Sequence, residues 1–298
     1  LVKEPGTRQR TPWHQDQPYY NIDGMQNISM WIPVDPVSRA ATLEFVAGSH
    51  KGPWLMPRTF MSNEARWFPE GSLADLPDVE ADRAALYHLE CELPALSRPL
   101  YECILTGVPP IESGIVHNNV SRLSHQRSVF HYAREAGLST AAAAYHWVSE
   151  LYNRSPFVPA RDRHTDDPDL PIQHGHFYYV DHYPDSHLFA DAEHLRLQHA
   201  PHFLLIHPMN IDDAGHKHGL DTPQYRNSAR SADIILADYL QAWLDAGYQV
   251  LVTADHGMNN DRSHNGLLKE EREVPLFVLG DAFSFDSGAA PAQTDICG

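Results

Sequence analysis

The sequence predicts an α/β domain over residues 84–298, a mostly parallel sheet flanked by helices, behind a mostly β fragment over residues 1–83. Three observations lead there. Short apolar runs at 202–207, 249–253 and 274–279 read as strands. The interval 231–246, between the first two, has helical periodicity. Apolar strands alternating with helices imply a sheet covered on both faces. Finally, the chain changes character near residue 83, away from short alternating runs rich in Pro and Trp.

Taken in order, Met25–Val34 reads as a strand with partial period-two patterning, and Ala41–Val46 as a second strand ended by a Gly-Ser-His-Lys-Gly loop. Residues 69–78, with Pro, Gly and Ser, are loop. Further on, Ser128–Tyr132 is predicted as a short strand and Thr140–Tyr152 as a helix, on its four consecutive alanines. Residues 202–207 are an apolar strand. Ser231–Ala246 is a helix because Ile234, Ile235, Ala237, Leu240, Trp243 and Leu244 recur at spacings of three and four, with Gly247 as its stop. Residues 249–253 and 274–279 are the last two strands.

Bulk properties bound the function. With 298 residues, 42% of them hydrophobic, the chain can bury a core for one or two domains. Its net charge is −17, from 22 basic and 39 acidic residues. That balance argues against a nucleic-acid polymer as partner, because phosphate backbones need clustered Lys and Arg. A small phosphorylated substrate stays open, since bound cations reverse local charge. The 20 histidines supply metal ligands and acid–base groups in number. Three cysteines, Cys91, Cys103 and Cys297, make no disulfide framework and point to a reducing cytoplasm. No run of 18 apolar residues suggests a membrane span, and oligomeric state is not legible.

Three segments follow predicted strands, where open α/β sheets place their sites. They are Asp212-Asp-Ala-Gly-His216, Thr253-Ala-Asp255-His256-Gly257 and Ser263-His264-Asn-Gly266. Together they offer carboxylates and imidazoles in the proportion that zinc or manganese sites use.

These segments resemble the alkaline phosphatase superfamily, most closely its nucleotide pyrophosphatase/phosphodiesterase and phosphonoacetate hydrolase branches. The upstream blocks fit in the right order: Ser97-Arg-Pro99, Thr106-Gly-Val-Pro-Pro110 and Gly114-Ile-Val-His-Asn118-Asn119. The resemblance implies a metal-dependent hydrolase of phosphoester or phosphonate substrates, with Ser97 as nucleophile. It puts Asp212, His216 and His264 on one divalent ion and Ser97, Asp255 and His256 on another, Zn²⁺ first and Mn²⁺ second. Asn118, with Asn119 as its rival, would stabilise phosphoryl charge. One departure stands out. The family's first strand ends in an Asp-Gly whose Asp binds the ion beside the nucleophile. The only Asp-Gly upstream of Ser97 is Asp23-Gly24, inside the first fragment's pattern. The resemblance therefore implies a domain lacking its first strand, unless Asp75, Asp78 or Asp82 fills the vacancy.

Residues 1–83 resemble a partial phytanoyl-CoA dioxygenase, a cupin or jelly-roll-like fold using Fe²⁺ and 2-oxoglutarate. The carrying residues are Trp13-His14-Gln-Asp16, an H-x-D iron pair, and Phe45-Val-Ala-Gly-Ser-His-Lys-Gly52. The family's distal His and its 2-oxoglutarate-binding Arg have no counterpart before the chain switches near 81–86. Two alternatives to the hydrolase follow: an iron-dependent dioxygenase, and a catalytically impaired fusion of two partial domains.

Overall fold

The computed structural model describes residues 84–283 and 291–297. Contacts divide the chain into two compact units, Leu1–Glu80 and Ala81–Gly298. The strands expected at 25–34 and 41–46, the Asp-Gly at 23–24, His14, Asp16, Asp75, Asp78 and Asp82 lie outside the described residues.

Described strands are β1 (Ala84–Glu90), β2 (Thr140–Tyr145), β3 (His164–Asp166), β4 (His174–Tyr178), β5 (Phe203–Ile206), β6 (Val250–Thr253) and β7 (Glu273–Leu279). The helices longer than one turn are α1 (Ser97–Thr106), α2 (Val129–Glu135), α3 (His146–Tyr152), α4 (Asp185–His199), α5 (Asn210–His218) and α6 (Pro223–Asp245). This is a mixed α/β fold, as the sequence predicts.

The strands form two sheets, ordered β3-β4-β2-β5 and β1-β7-β6. Parallel pairing is confined to β4-β2-β5. β3 on β4 and both ladders of the smaller sheet are antiparallel. The difference matches coverage. The larger sheet packs helices on both faces, as parallel strands require. The smaller sheet buries Leu89, Val274, Leu276 and Val278 on one side and leaves Leu86 and Phe277 exposed on the other.

The alanine run is where the sequence reading fails most clearly. Thr140–Tyr145 is a fully buried strand, and only His146–Tyr152 is helical. Ala142 and Ala144 face a cluster with Phe130, Leu151, Ile172 and Phe177. Ala141 and Ala143 face Leu188, Ala192 and Leu195 of α4. Small side chains on both faces let helices approach the central strand closely, so packing overrides alanine's helix propensity. The strand expected at Ser128–Tyr132 is likewise α2. Ser128 is its N-cap, and its hydroxyl sits 2.9 Å from His131 Nδ1. α6 begins eight residues before the expected start, at Pro223, where the Thr222 hydroxyl accepts from the Tyr225 amide at 3.3 Å.

Among the described residues β5 pairs only with β2, and β6 only with β7. Each therefore keeps one open edge, although both are apolar and half-buried. The Tyr248 hydroxyl, just before β6, donates to the Pro201 carbonyl, just before β5, at 2.9 Å. The two strands thus start a tyrosine side chain apart, and the segments after them converge again beyond their carboxyl ends.

A buried ion pair holds α1 in place. Arg98 Nη2 lies 2.7 Å from Glu150 Oε2, with exposures of 2% and 7%. Arg98 also donates to the Val120 carbonyl and stacks on Trp147. Glu150→Ala should leave a buried guanidinium without its counter-charge. The expected loss is about 3–5 kcal/mol, read by thermal or urea denaturation; a loss below about 1 kcal/mol would show that solvent already screens the pair.

Candidate metal centre

The sequence segments that follow β5 and β6 meet at one place. α5 carries Asp212 and His216 one turn apart, on the same side. Asp255 and His256 follow β6 directly, and His264 comes from the loop after them. His216 Nε2 lies 3.4 Å from Asp212 Oδ2 and 3.1 Å from His264 Nε2. His264 Nε2 is 3.8 Å from Asp212 Oδ1. Asp212, His256 and His264 each offer a ligand atom within 4.8 Å of the others. The His256 and His264 rings stack with centroids 3.6 Å apart.

The glycines of these motifs have steric reasons. A Cβ on Gly215 would meet Met258 at 2.5 Å, and one on Gly257 would meet the Glu270 carbonyl at 2.0 Å. The Glu270 carbonyl is backbone and cannot give way, whereas Met258 would have to repack.

The imidazoles are oriented by the backbone. His264 Nδ1 is 2.8 Å from the Ala95 carbonyl, His216 Nδ1 is 3.0 Å from Arg262 O, and His256 Nδ1 is 2.9 Å from Gly257 O. A carbonyl can only accept, so each Nδ1 carries the proton and donates. All three Nε2 atoms then present lone pairs inward. Two lone pairs 3.1 Å apart repel, and Asp212 Oδ1 is buried with no hydrogen-bond partner. Both features are relieved by a cation, and carbonyl-anchored imidazoles are how proteins set metal-ligating histidines. The donor set of imidazole nitrogen and carboxylate oxygen suits zinc and related divalent ions.

Burial is the main reason the Asp212 carboxyl sits above its ordinary range; Asp255 adds to this, while His256, His216 and His264 oppose it. His264 is pushed down, by burial first and then by His256.

Ser97 opens α1, and its Oγ is 3.1 Å from His256 Nε2, to which it donates. At a helix N-terminus the oxygen sits in a field that favours negative charge. Of the two asparagines, Asn118 reaches this turn: its Oδ1 accepts from the Arg98 amide at 3.0 Å. Asn119 is exposed and bonds back to His117.

Some neighbours carry no motif. The Tyr101 ring lies edge-on to His207 at 4.4 Å, and Tyr178 donates to the His207 carbonyl at 2.7 Å. Burial holds the His207 imidazole down at about 4. Gln293 donates to the Asp255 carbonyl at 2.8 Å. Tyr101 and His207 could have been suspected from their places one turn after Ser97 and at the end of β5. Gln293, Ala95 and Arg262 act through or on backbone carbonyls and leave no trace in sequence.

The model of the type I phosphodiesterase / nucleotide pyrophosphatase family matches residues 80–271, well over half of the chain. The chain belongs to that family. A phytanoyl-CoA dioxygenase model matches residues 1–92. Curated proteins show no match. Among solved structures, a Bacteroides thetaiotaomicron protein described for the metabolism of multiple glycosaminoglycans is 15% identical with a TM-score of 0.51, over 73% of this chain and 62% of its own. Murine ectonucleotide pyrophosphatase / phosphodiesterase 5 is 15% identical with a TM-score of 0.45, over 60% of this chain and 50% of its own. Phosphonoacetate hydrolase from Sinorhizobium meliloti is 20% identical with a TM-score of 0.42, over 59% and 48%. The phosphodiesterase-family chain thus spans about half to three-fifths of these proteins. No helix among its described residues is long and apolar enough to cross a membrane.

Proposed function

We propose that this phosphodiesterase-family chain is a metal-dependent hydrolase of small phosphoester or phosphonate substrates, with Ser97 as nucleophile. The observation that carries the reading is the inward turn of three Nε2 atoms around Asp212. In this reading Asp212, His216 and His264 would hold one divalent ion, and Asp255, His256 and Ser97 a second, with Zn²⁺ preferred over Mn²⁺. Bound there, the ions would supply a lowered serine pKa and neutralise phosphoryl charge. The chain's own residues do the rest. Ser97 presents its oxygen at the N-terminus of α1, 3.1 Å from the His256 Nε2 that would share the ion with it. Asn118, with its Oδ1 committed to the Arg98 amide, keeps its amide N–H groups for a phosphoryl oxygen. A panel of phosphodiester, phosphomonoester and phosphonate substrates with added Zn²⁺ or Mn²⁺ tests the class. No metal-stimulated turnover on any of the three would reject it.

The two ions are not held alike. By the resemblance, the ion beside Ser97 needs a carboxylate from a first strand ending in Asp-Gly. No such strand occurs among the described residues, where β5 pairs only with β2 and β6 only with β7. One apolar strand between them would pair with both and put its carboxyl end at Ser97. Without it, the second ion rests on Asp255, His256 and a neutral serine, a poor set. After dialysis, Asp255→Asn should leave the retained metal unchanged, because that ion has already gone, and turnover of the unaltered chain should be low. Two ions retained at this cluster together with strong turnover would falsify the idea.

A further inference from the structure

A second cluster of ligand-type side chains lies elsewhere on the same sheet. β3 and β4 pair so that His164 faces His176 and Asp166 faces His174. Directly opposed residues share a face, so an H-x-D and an H-x-H segment place three imidazoles and one carboxylate side by side. α4 packs on β4 and adds His199, its last residue. Asp166 Oδ1 lies 2.9 Å from His174 Nδ1. The His174 and His199 rings stack with centroids 3.7 Å apart and planes 12° from parallel. Ligand atoms of Asp166, His174 and His199 all lie within 4.8 Å of one another.

We propose that Asp166, His174 and His199 form a second metal site for a borderline divalent ion such as Zn²⁺, independent of the Ser97 cluster. Two imidazoles and a carboxylate are a sufficient protein share of a tetrahedral zinc site, with water completing it. Their origin on three different elements is what a structural clip needs. The ion would tie β3, an edge strand of three residues, to the end of α4. A helix C-terminus carries partial negative charge and favours a cation there. His174 begins β4 and Tyr178, beside His207, ends it, so the two sites are separated by about 13 Å of strand. The competing reading, an Asp166–His174 hydrogen bond with His199 stacked on it, predicts no zinc uptake.

The test uses the full chain carrying Asp212→Asn and Asp255→Asn, which silences the other cluster. Zn²⁺ is titrated calorimetrically and retained metal is counted after dialysis. One equivalent should bind, with micromolar or tighter affinity, and raise Tm by about 5–10 °C at saturating zinc. Adding His199→Gln, or separately the exposed-site change Asp166→Asn, should weaken binding at least about 10-fold and abolish the Tm rise. Absence of binding overturns the proposal, and so does binding that survives both changes. Asp166 is largely exposed, so its variant keeps the test valid if His199→Gln fails to fold.

Discussion

Asp212→Asn is expected to strip the chain of its best-held ion at the Ser97 cluster and to take any phosphohydrolase activity to the blank rate. Among the described residues, Asp212 supplies the carboxylate between His216 and His264, at 3.4 and 3.8 Å. Its buried Oδ1 has no other partner, so the amide inherits the cavity without the charge. Losing even a group that merely orients a ligand costs about 10–100-fold in metal affinity, and a ligand carrying the charge should cost more than about 100-fold. The fold should survive. The carboxylate's favourable place in the first turn of α5 is worth about 0.3–1 kcal/mol. Metal counted after dialysis should fall by one equivalent, with an unchanged circular dichroism spectrum. Unaltered metal content would place the ion elsewhere.

Ser97→Ala separates binding from chemistry. The substitution removes one hydroxyl at the start of α1 and the hydrogen bond to His256, while the Asp212, His216 and His264 set is untouched. Retained metal should therefore match that of the unaltered chain. Turnover should vanish, because nucleophile deletions commonly cost on the order of 10⁴-fold or more. The basal rate is itself expected to be low, so the informative measurement is a trapped phosphoryl group on residue 97, found by mass spectrometry in the unaltered chain only. Equal turnover in both chains would mean that water attacks directly.

Much of this was legible in the linear chain, but unevenly. The strands at 203–206, 250–253 and 273–279 follow from apolar runs that need no knowledge of neighbours. The site residues were legible because Asp-x-x-Gly-His and Asp-His-Gly are short, and each follows a strand. Ser128–Tyr132 and Thr140–Tyr145 were misread because their local preferences point the wrong way. Valine, phenylalanine and tyrosine favour strands, yet Ser128 caps a helix there. Alanine favours helices, yet 141–144 form an interior strand of the larger sheet that admits helices on both sides.

By itself, then, the sequence nominated the residues proposed to carry the chemistry: the aspartates, the histidines, Ser97, and the glycines that let them approach. The tertiary structure decided how they are held and where the sheet divides. The Ala95, Arg262 and Gly257 carbonyls turn three imidazoles inward, and Asn118 rather than Asn119 meets the first turn of α1. The same holds for the cluster on β3, β4 and α4, where an H-x-D and an H-x-H segment mean nothing until antiparallel register sets them opposite each other. The reason is physical. Every residue has the same backbone carbonyl, so the sequence cannot say which will orient a ring, and strand register depends on contacts between segments far apart in the chain.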